Sequence, residues 1–105
     1  MRLFLGVLVT LFFIQQAEAK PARCFTSDDG HYKCDFQAVD RDGSFIISAP
    51  NKPTITLMMS EPGKAYGSAD FGTGRNVSLP GQYLRSQQDR ACWDNDATQT
   101  KVCAW

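Results

Sequence analysis

A chain of 105 residues with eleven basic and eleven acidic side chains has no charge surplus to hold nucleic acid, whose binding rests on many phosphate contacts. The same balance leaves no polybasic cluster for an anionic membrane surface. At this length folding buries only about 60–65% of the surface the unfolded chain exposes, so the core needs a covalent supplement.

The first element reads as an export signal. Arg2 is followed by the apolar run from Leu3 to Ile14 and by the A-x-A pattern Ala17-Glu18-Ala19, which predicts cleavage after Ala19. Twelve residues are too few for a bilayer core that needs about 20, which favours a signal over a membrane anchor. Cys24 lies beyond Gln15, Gln16 and Glu18, too far from the run for a lipoprotein signal. The expectation is a secreted or periplasmic protein whose residues 20–105 form one domain, with no membrane insertion after cleavage. Loss of Arg2 and Glu18 with the signal keeps the charges even.

In the mature part, turn signals recur about every ten residues. They are Ser27-Asp28-Asp29-Gly30, Asp40-Arg41-Asp42-Gly43, Pro50-Asn51-Lys52-Pro53, Glu61-Pro62-Gly63-Lys64, Gly72-Thr73-Gly74, Pro80-Gly81 and Asp94-Asn95-Asp96. Between them the residues alternate. Cys34, Phe36 and Ala38 take one face against Lys33, Asp35 and Gln37. Phe45, Ile47 and Ala49 follow, then Ile55, Leu57 and Met59, then Ala69 with Phe71, and Val77 with Leu79. Ile46 and Met58 interrupt the pattern and belong to a second apolar layer or to the surface. Arg85 to Arg90 is the one passage able to turn helically, and it has no apolar stripe. The expected fold is all-β: a small antiparallel sandwich or barrel of about six to eight short strands.

All four cysteines, Cys24, Cys34, Cys92 and Cys103, fall after the signal, an even number in an exported chain. Nine and ten residues separate the near pairs, wider than zinc-ligand spacing, so disulfides are expected rather than zinc. Pairing 24–34 with 92–103 sets each bridge across its own turn, closing loops worth roughly 2.5–3 kcal/mol each in the chain-entropy account. The alternative ties the N-terminal hairpin to the C-terminal one. Across a regular hairpin, Cys92 and Cys103 share a side with Arg90, Asp94, Lys101 and Trp105. Trp93 shares the other with Ala91, Val102 and Ala104. Trp93 is therefore expected in the core and Trp105 on the wetter face or at a rim.

Chemistry is sparse. His31 is the one histidine, it stands in a turn beside Gly30, and no G-x-S-x-G elbow is present. Paired cysteines leave no thiolate nucleophile. No enzyme activity and no cofactor are expected. Asp40-Arg41-Asp42-Gly43 has the opening of a calcium loop without its later ligands and reads as a turn. Asp94, Asn95, Asp96 and Thr98 are the candidate calcium ligands, although Asp and Asn at hairpin tips more often bond their own backbone. Gly72-Thr73-Gly74-Arg75 could cradle an anion, but it opens no helix and reads as a glycine-rich hairpin. Asn76-Val77-Ser78 fits an N-glycosylation acceptor.

The stretch ADFGTGRNVSLPGQY (69–83) followed by DNDAT (94–98) resembles a βγ-crystallin Greek-key motif, in which an aromatic-x-Gly turn precedes a strand and paired Asp/Asn residues precede a Ser/Thr. It departs at Gln99, where the calcium-binding form has Ser, and no second copy follows. The resemblance implies Greek-key strands and, from some secreted members of that superfamily, a disulfide-bearing protease inhibitor. It assigns no residue a role.

The function expected is a non-catalytic binding or interaction module for a protein or small-molecule partner. Trp105, Arg75, Arg85 and Arg90 are the candidate contact residues, because Trp and Arg dominate binding hot spots. The alternative is an inhibitor of a secreted hydrolase, acting through the disulfide-braced loops 26–33 and 94–101, which are ordered before binding. A small enzyme built on His31 is the third reading.

Overall fold

The alternation becomes nine strands. The computed structural model describes residues 18–105. Its strands are β1 (Lys20–Thr26), β2 (Gly30–Ala38), β3 (Phe45–Ser48), β4 (Thr54–Glu61), β5 (Lys64–Asp70), β6 (Val77–Ser78), β7 (Tyr83–Arg85), β8 (Cys92–Asn95) and β9 (Lys101–Ala104). The expected export signal lies outside the described residues except for Glu18 and Ala19.

Every pairing is antiparallel, and sequence neighbours pair except β6 and β7. β9 returns to β1 and β7 lies against β5, so eight strands close into a barrel. Closure removes the free edges that would otherwise template aggregation. β6 is the ninth strand and pairs only with the second half of β5.

Short connections put each barrel strand beside the barrel strand before it, with β6 set aside on the second half of β5. The order is therefore an up-and-down meander rather than the Greek key that the βγ-crystallin resemblance implies. Residues 69–83 stay beside β5 as β6 and β7.

An eight-stranded barrel is just wide enough to be filled by its own side chains. The filling is Cys24, Cys34, Phe45, Ile47, Ile55, Leu57, Ala65, Ala69, Tyr83, Trp93 and Val102. β5 turns only small residues inward. Gly67, between Ala65 and Ala69, leaves the room into which the Tyr83 ring packs, and a Cβ there would collide with that ring. Both disulfides are the local ones, Cys24–Cys34 and Cys92–Cys103. The first belongs to the barrel core. The second joins two directly opposed residues on the outer face of the β8–β9 hairpin.

Three positions depart from the alternation. Val77 is exposed because β6 has one neighbour and no second layer, and Phe71 is exposed because it follows the end of β5. Ala38 is exposed at the end of β2. Of the two pattern-breakers, Met58 is exposed and Ile46 half-buried. The passage with helical potential is instead a loop over 86–91. Ser86 N–H donates to Cys92 O and Cys92 N–H donates to Asp89 O, each at 2.9 Å.

Loop tips are built around single Asx side chains, as turn chemistry predicts. Asp40 Oδ1 accepts from the N–H groups of Asp42 and Ser44 at 2.9 and 3.0 Å. Asp70 Oδ1 accepts from Gly72, Thr73 and Gly74 at 2.9, 3.0 and 3.1 Å. The glycine-rich loop thus cradles an anion, and the anion is the chain's own carboxylate.

Candidate functional site

The barrel has two ends. At the upper end lie the β1–β2 turn, the 49–53 loop, the 71–76 loop and the β8–β9 turn. At the lower end lie the 39–44 loop, the β4–β5 turn and the 86–91 loop.

The upper mouth opens into a cavity of about 190 Å³. Ile55, Ala69, Leu79, Tyr83 and Val102 form its apolar wall, and Phe71 and the prolines 53 and 80 stand at its rim. Ser27, Asp28, Asp29, Thr98, Thr100 and Lys101 give that rim its polar groups. An apolar recess with a few polar groups at a barrel mouth is where small ligands are commonly bound.

The rim is held rigidly. Ser27 N–H donates to Lys101 O at 3.1 Å, and Lys101 N–H donates to Ser27 Oγ at 2.8 Å. These bonds join the tips of the two disulfide-bearing hairpins. Asn95 is buried and faces in from β8. Its Oδ1 accepts from Ala97 and Thr98 N–H at 2.8 and 2.9 Å, and its Nδ2 donates to Pro80 O at 2.8 Å. Asp96 Oδ1 accepts from Gln82 N–H at 2.8 Å. Asp94 faces outward to an ion pair with Lys101 at 3.4 Å. Thr98 and Thr100 share a hydroxyl–hydroxyl bond of 2.7 Å. Of the four candidate calcium ligands, Asn95 and Asp96 serve backbone N–H groups and Asp94 points away from both.

The tryptophans separate as the hairpin geometry requires. Trp93 is 2% exposed in the core and Trp105 is 42% exposed on the outside. Cys92 and Cys103, on the same side as Trp105, are nevertheless both buried. Phe25 lies directly across from Cys103 on β1. Trp105 extends β9 by one more backbone pair: its N–H donates to Arg23 O at 2.9 Å, and Arg23 N–H donates to its carbonyl at 3.2 Å. Its ring stacks on His31 with centroids 5.7 Å apart, and the Arg23 guanidinium lies 5.3 Å from its centre. Its indole N–H donates to Asp89 Oδ2 at 2.9 Å, fastening the 86–91 loop to the outer wall. The Ala91 N–H, and then the Trp105 indole, hold the Asp89 carboxyl below its ordinary value.

The candidate arginines divide. Arg75 is exposed in the loop after β5. Arg85 faces in from β7, half-buried at the lower end, with its guanidinium 4.6 Å from the centre of the Trp93 ring. Arg90 comes from the 86–91 loop to line the same two depressions as Arg85. Of the four predicted contact residues, only Arg85 and Arg90 are brought together.

The wall of the upper cavity was not among the sequence candidates. Each of its residues carries an ordinary inward-facing signal, and only barrel closure gathers the upper ends of β4, β5 and β9 around one space. Among the described residues no cluster of three His, Cys, Asp or Glu side chains is placed to hold a metal ion. No family model matches the chain. Comparison with curated proteins and with solved structures likewise found no match, so fold and function rest on the geometry alone.

Proposed function

We propose that this chain is an exported, non-catalytic binding protein that takes the apolar part of a small ligand, or of a partner's side chain, into the upper mouth. The observation that carries the reading is the 190 Å³ apolar recess beneath a hydrogen-bonded rim. A cavity of about 150 Å³ is enough to bind benzene in a protein core, so this one suits a single ring or a short branched chain. Two disulfides agree with an oxidising compartment. His31 stands in its aromatic stack outside the barrel and all four cysteines are in bridges, so neither residue type serves the mouth.

The test is a methyl NMR titration of the oxidised protein with small aromatic and aliphatic fragments. Saturable shifts confined to Ile55, Leu79 and Val102 are expected, and Leu79→Trp should abolish them without lowering the melting temperature. If no fragment moves those methyls, the reading fails.

A second reading, inhibition of a secreted hydrolase, is favoured by one observation. The two loops braced by the disulfides meet at this same rim through Ser27 and Lys101. A panel of secreted proteases and lysozymes should then show stoichiometric inhibition that is lost on replacing Asp28 and Thr98 together.

A further inference from the structure

The lower end holds a second feature that the upper mouth does not explain. No arginine forms an ion pair among the described residues; the three ion pairs all use lysine. For an exposed arginine that is ordinary. Arg85 is not exposed: it sits half-buried at the lower end, stacked on Trp93, and its Nε is shielded from solvent with no acceptor. A shielded guanidinium N–H without an acceptor is costly, and a planar oxyanion is what the guanidinium fork matches best.

The surrounding carboxylates do not supply that partner. Asp89 is taken by Ala91 N–H and the Trp105 indole, Asp40 by Asp42 and Ser44 N–H, and Glu61 by Lys64. Asp42 lines the depression beside Arg85 and Arg90 but pairs with neither. On the other side of Arg85, the second depression is walled by Phe36, Phe45 and Trp93. Cationic groups therefore stand between a polar depression and an aromatic one.

We propose that Arg85, assisted by Arg90, is the anchor of a second ligand site, opposite the first, that recognises a carboxylate carried on an apolar body. The carboxylate meets the Arg85 guanidinium edge and the body lies against the aromatic wall. This site is independent of the upper mouth, and either can fail without the other.

Benzoate is the probe, with benzamide as its neutral isostere and inorganic phosphate as an anion without an apolar body. The readouts are the Arg85 Nε–H and Trp93 indole N–H resonances of the full domain. Benzoate should shift both saturably, and benzamide and phosphate should bind about tenfold more weakly. Arg85→Met should lose about tenfold of benzoate affinity, Arg85→Lys should fall between, and Asp42→Asn should bind more tightly. Equal affinity for benzoate and benzamide overturns the carboxylate anchor. Phosphate as tight as benzoate overturns the apolar body. If Arg85→Met does not fold, the comparison of the three probes on the native protein still decides.

Discussion

The two disulfide hairpins are near equals in sequence and opposites in structure. Their cysteines are separated by 10 and 11 positions, so loop closure contributes almost the same to each. Yet Cys24–Cys34 fills part of the barrel interior, whereas Cys92–Cys103 lies on the outer face and is nonetheless buried. Phe25 lies opposite Cys103 across the β1–β9 pairing, and the 86–91 loop, which ends at Cys92, is fastened by Asp89 to Trp105. The contrast teaches that what a staple contributes depends on whether its surroundings are the core or a latch.

Removing each bridge measures the contrast most strongly. Cys24→Ala with Cys34→Ala should lower stability by about 4–5 kcal/mol, because a core void adds to the lost cross-link. Cys92→Ala with Cys103→Ala should lower it by about 2–3 kcal/mol. Urea melts read both, and equal losses would erase the distinction. Under native conditions a phosphine should reduce the outer bridge first, since releasing a loop needs less free energy than opening the barrel. Alkylation and peptide mapping give the order.

Trp105→Ala should cost about 1–2 kcal/mol through its lost hydrogen bond and stacking. It should also speed reduction of Cys92–Cys103 while leaving Cys24–Cys34 unchanged. Were Trp105 only an exposed contact residue, neither quantity would move.

The smallest effect is on pH. The Asp89 carboxyl is held below the ordinary value of 3.8, so its latch is at full strength above that value and is lost as pH falls through the lower, folded one. The Trp105 indole N–H signal should move in that acid range, and Asp89→Asn should remove the transition. The Asp40 carboxyl, lowered mainly by Ser44, titrates in the same direction at the 39–44 loop and should leave the indole signal untouched.

Much of this was legible beforehand, for identifiable reasons. Period-two alternation placed Phe45, Ile47, Ile55 and Leu57 inside, because a strand has only two faces. The same parity put Cys34 with the apolar face, separated Trp93 from Trp105, and made the local pairing of cysteines geometrically natural. Asx residues marked loops that their own oxygens organise. Cys92 and Cys103, on the polar face, are nevertheless buried, because Phe25 comes from β1 at the far end of the chain, which parity within the hairpin does not register. Parity also mistook Val77, whose strand has no second neighbour.

The chain's local order thus determined the strands, their inward residues, the turns and both disulfides, all of which depend on neighbours within about a dozen positions. Only the tertiary structure decided that the sheet closes and that the mouth of about 190 Å³ exists. Those features arise where strand ends from distant parts of the chain meet, as Ser27 meets Lys101 across 74 positions. No periodicity within a strand records which distant end it will face.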